Sequence, residues 1–453
     1  MLWDSLGDTP GVARFADAVF PKRDNIIATL GDTPERVLVL DAHTDTVPAG
    51  ESDRWFDHDP FSAADGIVEW LVGDRVRLRV GERRVERSVR RRLGKLWEAR
   101  PFTSAPILYG RGSFDNKGPV AVAWLVTRAL AAALDRAGLA LDGTLVTAFV
   151  VDEEHSMAGT RALVAGPDSW LARQGLLPSR IGANGYRSGI SGVALDGSYG
   201  FVPIVGHRGV AQMAIRTSGQ AAHAATPDLG VNAVLRMATV LQTLETHREA
   251  LAANLAPLFH DDLLEPATLA LGTTIAGGGV HGVDDEGGRA RVDRSGINVL
   301  PDWCEATIDC RYPRPADGDA ATIRDRIANT ILEFVMDRTG LGVTDVTVTP
   351  IGGGPPCAIL DQADGGTDDP LVGPILRHGA AVSGFPPWVE TAPGGTDATV
   401  MIHEGGIRTL VEFGPAGGFA HEPHEFVERD QIATGALILA LAIIEILGVK
   451  ARG

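Results

Sequence analysis

His43, Asp45, Asp115, Glu153, Glu154 and His421 are residues of the types that bind divalent metals and tune them, and their places in the sequence point to one centre. His43 and Asp45 close the apolar run VLVLDAHTD, Glu153 and Glu154 close TLVTAFVVDEE, and TLVEFGPAGGFAH runs out to His421. Asp115 sits in GRGSFDNKG, just ahead of a long apolar stretch. Imidazole and carboxylate are the donors zinc prefers in sites that activate water. Adjacent glutamates at a strand end can split roles, one facing the metal and the other the substrate. The chemistry indicated is metal-assisted hydrolysis.

Positioning such residues is the task of the apolar runs. Four to eight consecutive apolar residues bounded by turn signals predict buried strands of a mostly parallel sheet. In open α/β sheets the ligand crevice lies beyond the carboxyl ends of the strands, so donors distant in sequence are aimed at one place. Asp115 and Asn116 are expected to cap a helix that has Pro119 in its first turn and runs through VAVAWLVTRALAAAL.

At 453 residues the chain exceeds a single compact core, and two domains are expected. Strand and helix signals alternate to about residue 205, as in βαβ units. From 207 to 355 the order becomes βαββαβ, that of a split-βαβ sandwich, and α/β character returns from about 360. The predicted fold class is α/β, with a mostly parallel-sheet catalytic domain (1–206 and 359–453) interrupted by an inserted α+β domain (207–358).

Net charge is −17, which argues against nucleic acid and anionic membranes as partners, because both need clustered Lys and Arg. Cys304, Cys310 and Cys357 form no CxxC pair and leave an odd count, which fits a reducing compartment, the cytoplasm. MLWDSLGDTPGVARF lacks the pattern of a signal peptide. The apolar run IATGALILALAIIEILG near the C-terminus is interrupted by Glu445 and falls short of the roughly 20 residues a membrane span needs, so a buried helix is expected.

Taken in order, HTDTVP (43–48), GRGSFDNKGP (110–119), DEEHSMAGT (152–160), SGQAAHAATPDLGVNAV (218–234), INVLPDWCEATIDCR (297–311), GGTDAT (394–399) and FGPAGGFAHEPHEFV (413–427) form a specific series. The series resembles the di-zinc amidohydrolase and peptidase family of carboxypeptidase G, carnosinase-type dipeptidases, aminoacylase, acetylornithine deacetylase and succinyl-diaminopimelate desuccinylase. The resemblance covers nearly the whole chain.

That resemblance implies two divalent metal ions, zinc first, with cobalt or manganese as alternatives. It makes His43 a ligand of one metal, Asp115 the carboxylate that bridges both, and Glu154 and His421 ligands of the second. Asp196, in VALDGSYGF, takes the remaining ligand position; Asp-Gly also favours a plain turn there. Asp45 would orient the His43 ring through its other nitrogen, and Glu153 would be the general base toward the bridging water. His424 falls where the family usually has Asn, and His421 is preferred as the ligand. His223, in the inserted domain, would stabilise the tetrahedral oxyanion from the neighbouring subunit of a homodimer; the plain alternative is that it caps a local turn. Asn298 and Arg311 match substrate-contacting positions, although Arg311 could equally form a surface ion pair. Gly394, Gly395 and Thr396 resemble a loop along the substrate cleft.

The separation from His43 to Asp115 is much longer than the family usually shows. The extra stretch, about 62–105, is dense in Arg, and VRLRV alternates like a strand. A solvated surface excursion is the expectation, with a flap over the cleft as the sharper alternative. The resemblance implies hydrolysis of an amide bond in a dipeptide or short peptide. Within that family, Asp at the position of 196 goes with peptidase members, and DNKGP replaces the DMKGG usual in deacetylases. Deacylation of an N-acyl amino acid is the alternative, and a catalytically inactive binding homologue ranks last because every ligand position is filled.

Overall fold

The structure is a computed structural model that describes residues 2–56, 59–71, 75–88, 103–198, 200–277, 280–283, 290–292, 296–318, 322–362, 366–384 and 388–452. Residues 72–74 and 89–102 of the extra stretch lie outside the described residues. The chain divides into two units. The first comprises Met1–Gly206, Cys357–Ala392 and Thr396–Gly453, and the second His207–Pro356 with Pro393–Gly395.

Along the first unit run strands β1 (Val12–Phe20), β2 (Arg23–Leu30), β3 (Val37–His43), β4 (Ala64–Leu71), β5 (Arg75–Val80), β6 (Arg83–Ser88) and β7 (Ser104–Tyr109). Helix α1 (Gly118–Ala137) and strands β8 (Thr144–Val150) and β9 (Ile190–Ala194) follow. The second unit holds β10 (Gly209–Ser218), α2 (Ala233–Thr246), β11 (Thr268–Gly277), β12 (Trp303–Tyr312), α3 (Ile323–Thr339) and β13 (Val346–Gly354). The chain then returns to the first unit through β14 (Arg408–Leu410), β15 (Gly417–Gly418), β16 (Phe426–Glu428) and α4 (Arg429–Leu447).

The main sheet of the first unit has the order β1-β2-β8-β3-β9-β14. β8, β3, β9 and β14 are mutually parallel, and β2 and β1 add antiparallel strands at one edge. Every residue of β3 and of β8 is buried. Strands covered on both faces read as unbroken apolar runs, which is why VLVL and TLVTAFV carry no alternation. α1 and α4 pack against one another beside this sheet. α4 buries Ile438, Leu439, Ala442, Ile443 and Leu447, so its apolar composition is that of a core helix. Among the described residues, Ser113–Ala137, which contains α1, and α4 are long and apolar enough to cross a membrane by length and composition alone.

The helix after Asp115 forms where expected, but its cap differs. Lys117 is the N-cap residue and makes no side-chain cap bond, while Pro119 occupies the first turn. The Asp115 carboxylate is instead spent on imidazoles, and the Asn116 amide on backbone carbonyls.

The described part of the extra stretch, 64–71 and 75–88, is packed into a sheet and differs there from the solvated excursion expected. β4, β5 and β6 extend an antiparallel sheet of order β15-β16-β7-β4-β5-β6. Val68, Trp70, Val76 and Leu78 are buried in one apolar cluster with Trp55, Tyr109, Phe419 and Phe426. The alternation in VRLRV thus buries Val76 and Leu78 and turns the arginines outward.

In the second unit, an antiparallel sheet of order β11-β12-β10-β13 packs against α2 and α3 over Met213, Ile215, Met237, Val240, Ile308, Ile327 and Ile331. This is the βαββαβ order read from the sequence. Asn232 caps α2, its Oδ1 accepting from the backbone N–H groups of Val234 and Leu235. Cys304, Cys310 and Cys357 are free and buried.

Candidate metal centre

Four neighbouring parallel strands deliver donors from their carboxyl ends. β3 ends on His43, Glu153 and Glu154 follow β8, Asp196 lies two residues past β9, and the chain leaving β14 reaches His421. Asp115 enters from the segment before α1, and the Asp115–Asn116 peptide is cis. Asn116 Nδ2 donates to the carbonyl of Leu195 at 2.8 Å and lies 3.5 Å from that of His43, so this segment is tied to the ends of β3 and β9.

Two donor groups result. His43, Asp115 and Asp196 present ligand atoms within 4.8 Å of one another, and so do Asp115, Glu154 and His421. Asp115 belongs to both, one oxygen to each. Its Oδ1 is 3.1 Å from His43 Nε2, and its Oδ2 is 3.1 Å from His421 Nε2. Asp196 Oδ2 is 3.9 Å from His43 Nε2, and Glu154 Oε2 is 3.0 Å from His421 Nε2. In the first group His43 is buried and Asp115 and Asp196 are half-buried, whereas the His421 side chain is 55% exposed and opens the second toward solvent.

The donor set fits divalent metals. His43 Nε2 is a buried atom that makes no hydrogen bond, although two carboxylates converge on it. No Lys or Arg forms an ion pair with Asp115, Glu154 or Asp196 among the described residues. Such a concentration of half-buried carboxylate is costly unless cations compensate it. Burial alone would raise the Asp115 carboxyl, but the His421 and His43 imidazoles hold it well below the usual range. Burial would lower His43, yet Asp115, Asp45 and Asp196 raise it well above an ordinary imidazole. Asp115 and Glu154 push His421 up to about 10. Burial, reinforced by the Asp115 charge, pushes Asp196 up to about 7. Burial, followed by the charge of Asp397, raises the Glu153 carboxyl well above the usual range.

Asp45 meets the His43 ring through its backbone carbonyl and the turn after β8 through its carboxylate. His43 Nδ1 lies 3.2 Å from the Asp45 backbone carbonyl and 3.7 Å from its carboxylate. The carboxylate accepts the backbone N–H groups of Glu153 and Glu154, both at 3.2 Å, which fixes the turn that separates those two side chains. His424 lies outside both groups. Its Nδ1 is 3.0 Å from the Tyr109 hydroxyl, its ring packs on Phe56, and burial with the nearby Arg87 and Arg54 pushes it down to about 4.

Residues given no role from the sequence, Glu425, Arg111, Asp41 and Asp397, support the site from behind, beside the expected Thr396. The Glu425 carboxylate is fully buried, pairs with Arg111, and accepts the backbone N–H groups of Gly112, Phe114 and Asp115. Beneath His43, Asp41 and Asp397 are buried together, with Thr160 donating to Asp41. A charged residue inside the apolar run VLVLDAH was the only sequence signal for that pair. Thr396 is buried, donates to the Val411 carbonyl at 2.7 Å and accepts from Ala398 N–H, so its hydroxyl shapes the loop.

The other expected site residues lie in the second unit. His223 is exposed, its Nδ1 accepts the Ala225 N–H at 3.0 Å, and its backbone pairs with Val299. Asn298 is exposed on a turn, where its carbonyl accepts from Ala224 N–H. Arg311 makes a two-pronged pair with Asp309 on its own strand, at 2.6 and 3.2 Å. Gly394 and Gly395 fall at the unit boundary, immediately before Thr396.

A mixed α/β fold with two groups of possible metal ligands sharing one carboxylate fits a metal-dependent hydrolase. The chain belongs to peptidase family M20/M25/M40, whose profile matches residues 91–445. It is therefore a hydrolase of C–N bonds. No match was found among curated proteins. Among solved structures the chain is similar to human carnosine dipeptidase 1, at 15% identity and a TM-score of 0.58 over 98% of this chain and 88% of that one. It is similar to the di-peptidase Dug1p of Saccharomyces cerevisiae, at 15% identity and a TM-score of 0.57 over 98% and 89%. Aminopeptidase PepT of Bacillus cereus shares 18% identity at a TM-score of 0.55 over 98% and 90%.

Proposed function

We propose that this chain hydrolyses the amide bond of a dipeptide or other short peptide. In this reading two divalent metals, zinc first, are held by His43, Asp115 and Asp196 and by Asp115, Glu154 and His421. The observation that carries it is Asp115, whose two oxygens face two different imidazoles, each at 3.1 Å. A metal pair bound there supplies Lewis-acid polarisation of the scissile carbonyl and acidifies the attacking water. Glu153 takes the proton from that water and returns it to the departing amine nitrogen. Asp45 keeps Glu153 and Glu154 apart by holding both their backbone N–H groups.

His223 serves as the oxyanion donor. Its Nδ1 accepts a backbone hydrogen bond, so in the neutral ring the proton lies on Nε2, which is then free to donate. It reaches the reacting carbonyl from the partner in a homodimer, a reading supported by the exposed apolar side chains of Leu229, Leu235, Ile297 and Val299 in the same unit. The three free, buried thiols support a reducing, cytoplasmic setting.

A peptide substrate is favoured over an N-acyl amino acid by aspartate at position 196 and by the dipeptidases among the structural neighbours. The test is a panel of dipeptides against N-acetyl and N-succinyl amino acids, run with metal analysis on the wild type and on Glu153→Gln. We expect dipeptide turnover, with Glu153→Gln keeping both metals and losing about 10²- to 10⁴-fold in rate. Full activity in that variant refutes the base assignment, and preferential cleavage of acyl substrates refutes the peptide assignment.

A further inference from the structure

The loop that presents His421 has an unusual backbone. Phe419 (φ +62°), His421 (φ +62°) and His424 (φ +74°) are all non-glycine residues in the left-handed region. Backbone of this kind persists only where the surrounding structure over-determines it. At the inner end Glu425 supplies part of that constraint through Arg111 and three backbone N–H groups.

The outer constraint comes from the extra stretch. Side chains alternate along β6, so Val85 and Arg87 share the inward face while Arg84 and Glu86 are exposed. The Arg87 guanidinium lies over the Phe419 ring at 4.6 Å. Its Nη1 donates to the Pro423 carbonyl at 2.9 Å, and its Nη2 pairs with the Glu422 carboxylate. These contacts fall on both sides of His421. β6 and β15 are opposite edges of one sheet, so the sheet must curl for Arg87 to reach the residues that follow β15.

We propose that Arg87 is a positioning residue for the metal site of Asp115, Glu154 and His421, and that the extra stretch clamps the loop presenting His421. This rests on the reading of His421 as a metal ligand. Arginine suits the role because one planar fork stacks on a ring while its two outer nitrogens bond a carbonyl and a carboxylate; lysine offers a single point of attachment. A flap would act on substrate and leave metal binding alone, whereas a clamp acts on metal binding before any substrate arrives.

The experiment is calorimetric titration of zinc into the metal-free full chain, with bound metal counted after desalting and the melting temperature of each metal-free variant recorded. Wild type is expected to bind two ions and His421→Ala one. Arg87→Ala should weaken one ion by about 10- to 100-fold, the usual effect of removing a group that orients a ligand, and leave the other unchanged. Glu422→Gln, which disturbs only the loop side of the pair, should weaken the same ion, and Arg87→Lys should restore part of the loss. Arg84→Ala, on the outer face, should match wild type. If His421→Ala loses one ion while Arg87→Ala and Glu422→Gln bind both at wild-type affinity, the clamp is overturned and the ligand assignment stands. If His421→Ala still binds both, the ligand assignment falls and the clamp with it.

Discussion

Glu425 Oε1 accepts the backbone N–H of Asp115 at 2.9 Å, which ties the loop presenting His421 to the one carboxylate that both donor groups share. The tie lies in the core: Glu425 is 0% exposed and its partner Arg111 only 3%. Removing one partner of such a pair leaves the other buried and uncompensated, at a cost of about 3–5 kcal/mol. Glu425→Ala should show a loss of that size in urea unfolding of the metal-free protein. A change below about 1 kcal/mol would mean that the pair relaxes into solvent.

Leu78 discriminates between a packed layer and a surface excursion. It is fully buried in β5, inside the extra stretch. Leu78→Ala is expected to cost about 2–5 kcal/mol, as for other core leucines, when unfolding is followed by circular dichroism. A surface position would give a change within about 0.5 kcal/mol.

His424 is expected to tolerate asparagine. It meets Tyr109 and Phe56 and stays clear of both donor groups. His424→Asn should therefore bind two metal ions at saturation. Loss of an ion in this variant alone, with His421→Ala retaining both, would exchange the roles of the two histidines.

Asp261 predicts a pH dependence in the second unit. Burial alone would raise its carboxyl, but Arg314 and the backbone N–H groups of Leu264, Leu263 and Arg314 lower it below the ordinary range. A carboxylate whose folded pKa is depressed contributes stability that is fully present above its unfolded value, about 3.9. That contribution is lost as pH falls through the folded value. The stability gap between wild type and Asp261→Asn should be constant from pH 7 to about 5 and shrink below about 4. A gap that widens on acidification contradicts the assignment.

Much of this site was legible in the sequence because its donors end apolar runs. His43, Glu153 and Glu154 are placed by strands whose burial on both faces is written as unbroken Val and Leu, and the parallel order carries their ends to one edge. Asp115 was legible as a residue type but not in its local path. An Asp-Asn before Pro119 reads as a helix cap, yet tertiary contacts with two imidazoles claim the carboxylate and leave Lys117 at the cap. The pairing of Asp41 with Asp397 was not legible, because nothing local links residues from two distant motifs. Arg87 was hidden for another reason. Arginine density marks a strand as polar, and only the curl of the sheet decides that one of those arginines turns inward onto the loop of His421.

The shared role of Asp115 is tested most directly by counting metal on single-ligand variants. Purified wild type saturated with zinc should carry two ions per chain by mass spectrometry, with His421→Ala and Asp196→Asn each carrying one. Asp115→Asn should lose affinity for both ions at once. An Asp115→Asn chain that still binds two ions as tightly as wild type would contradict the account.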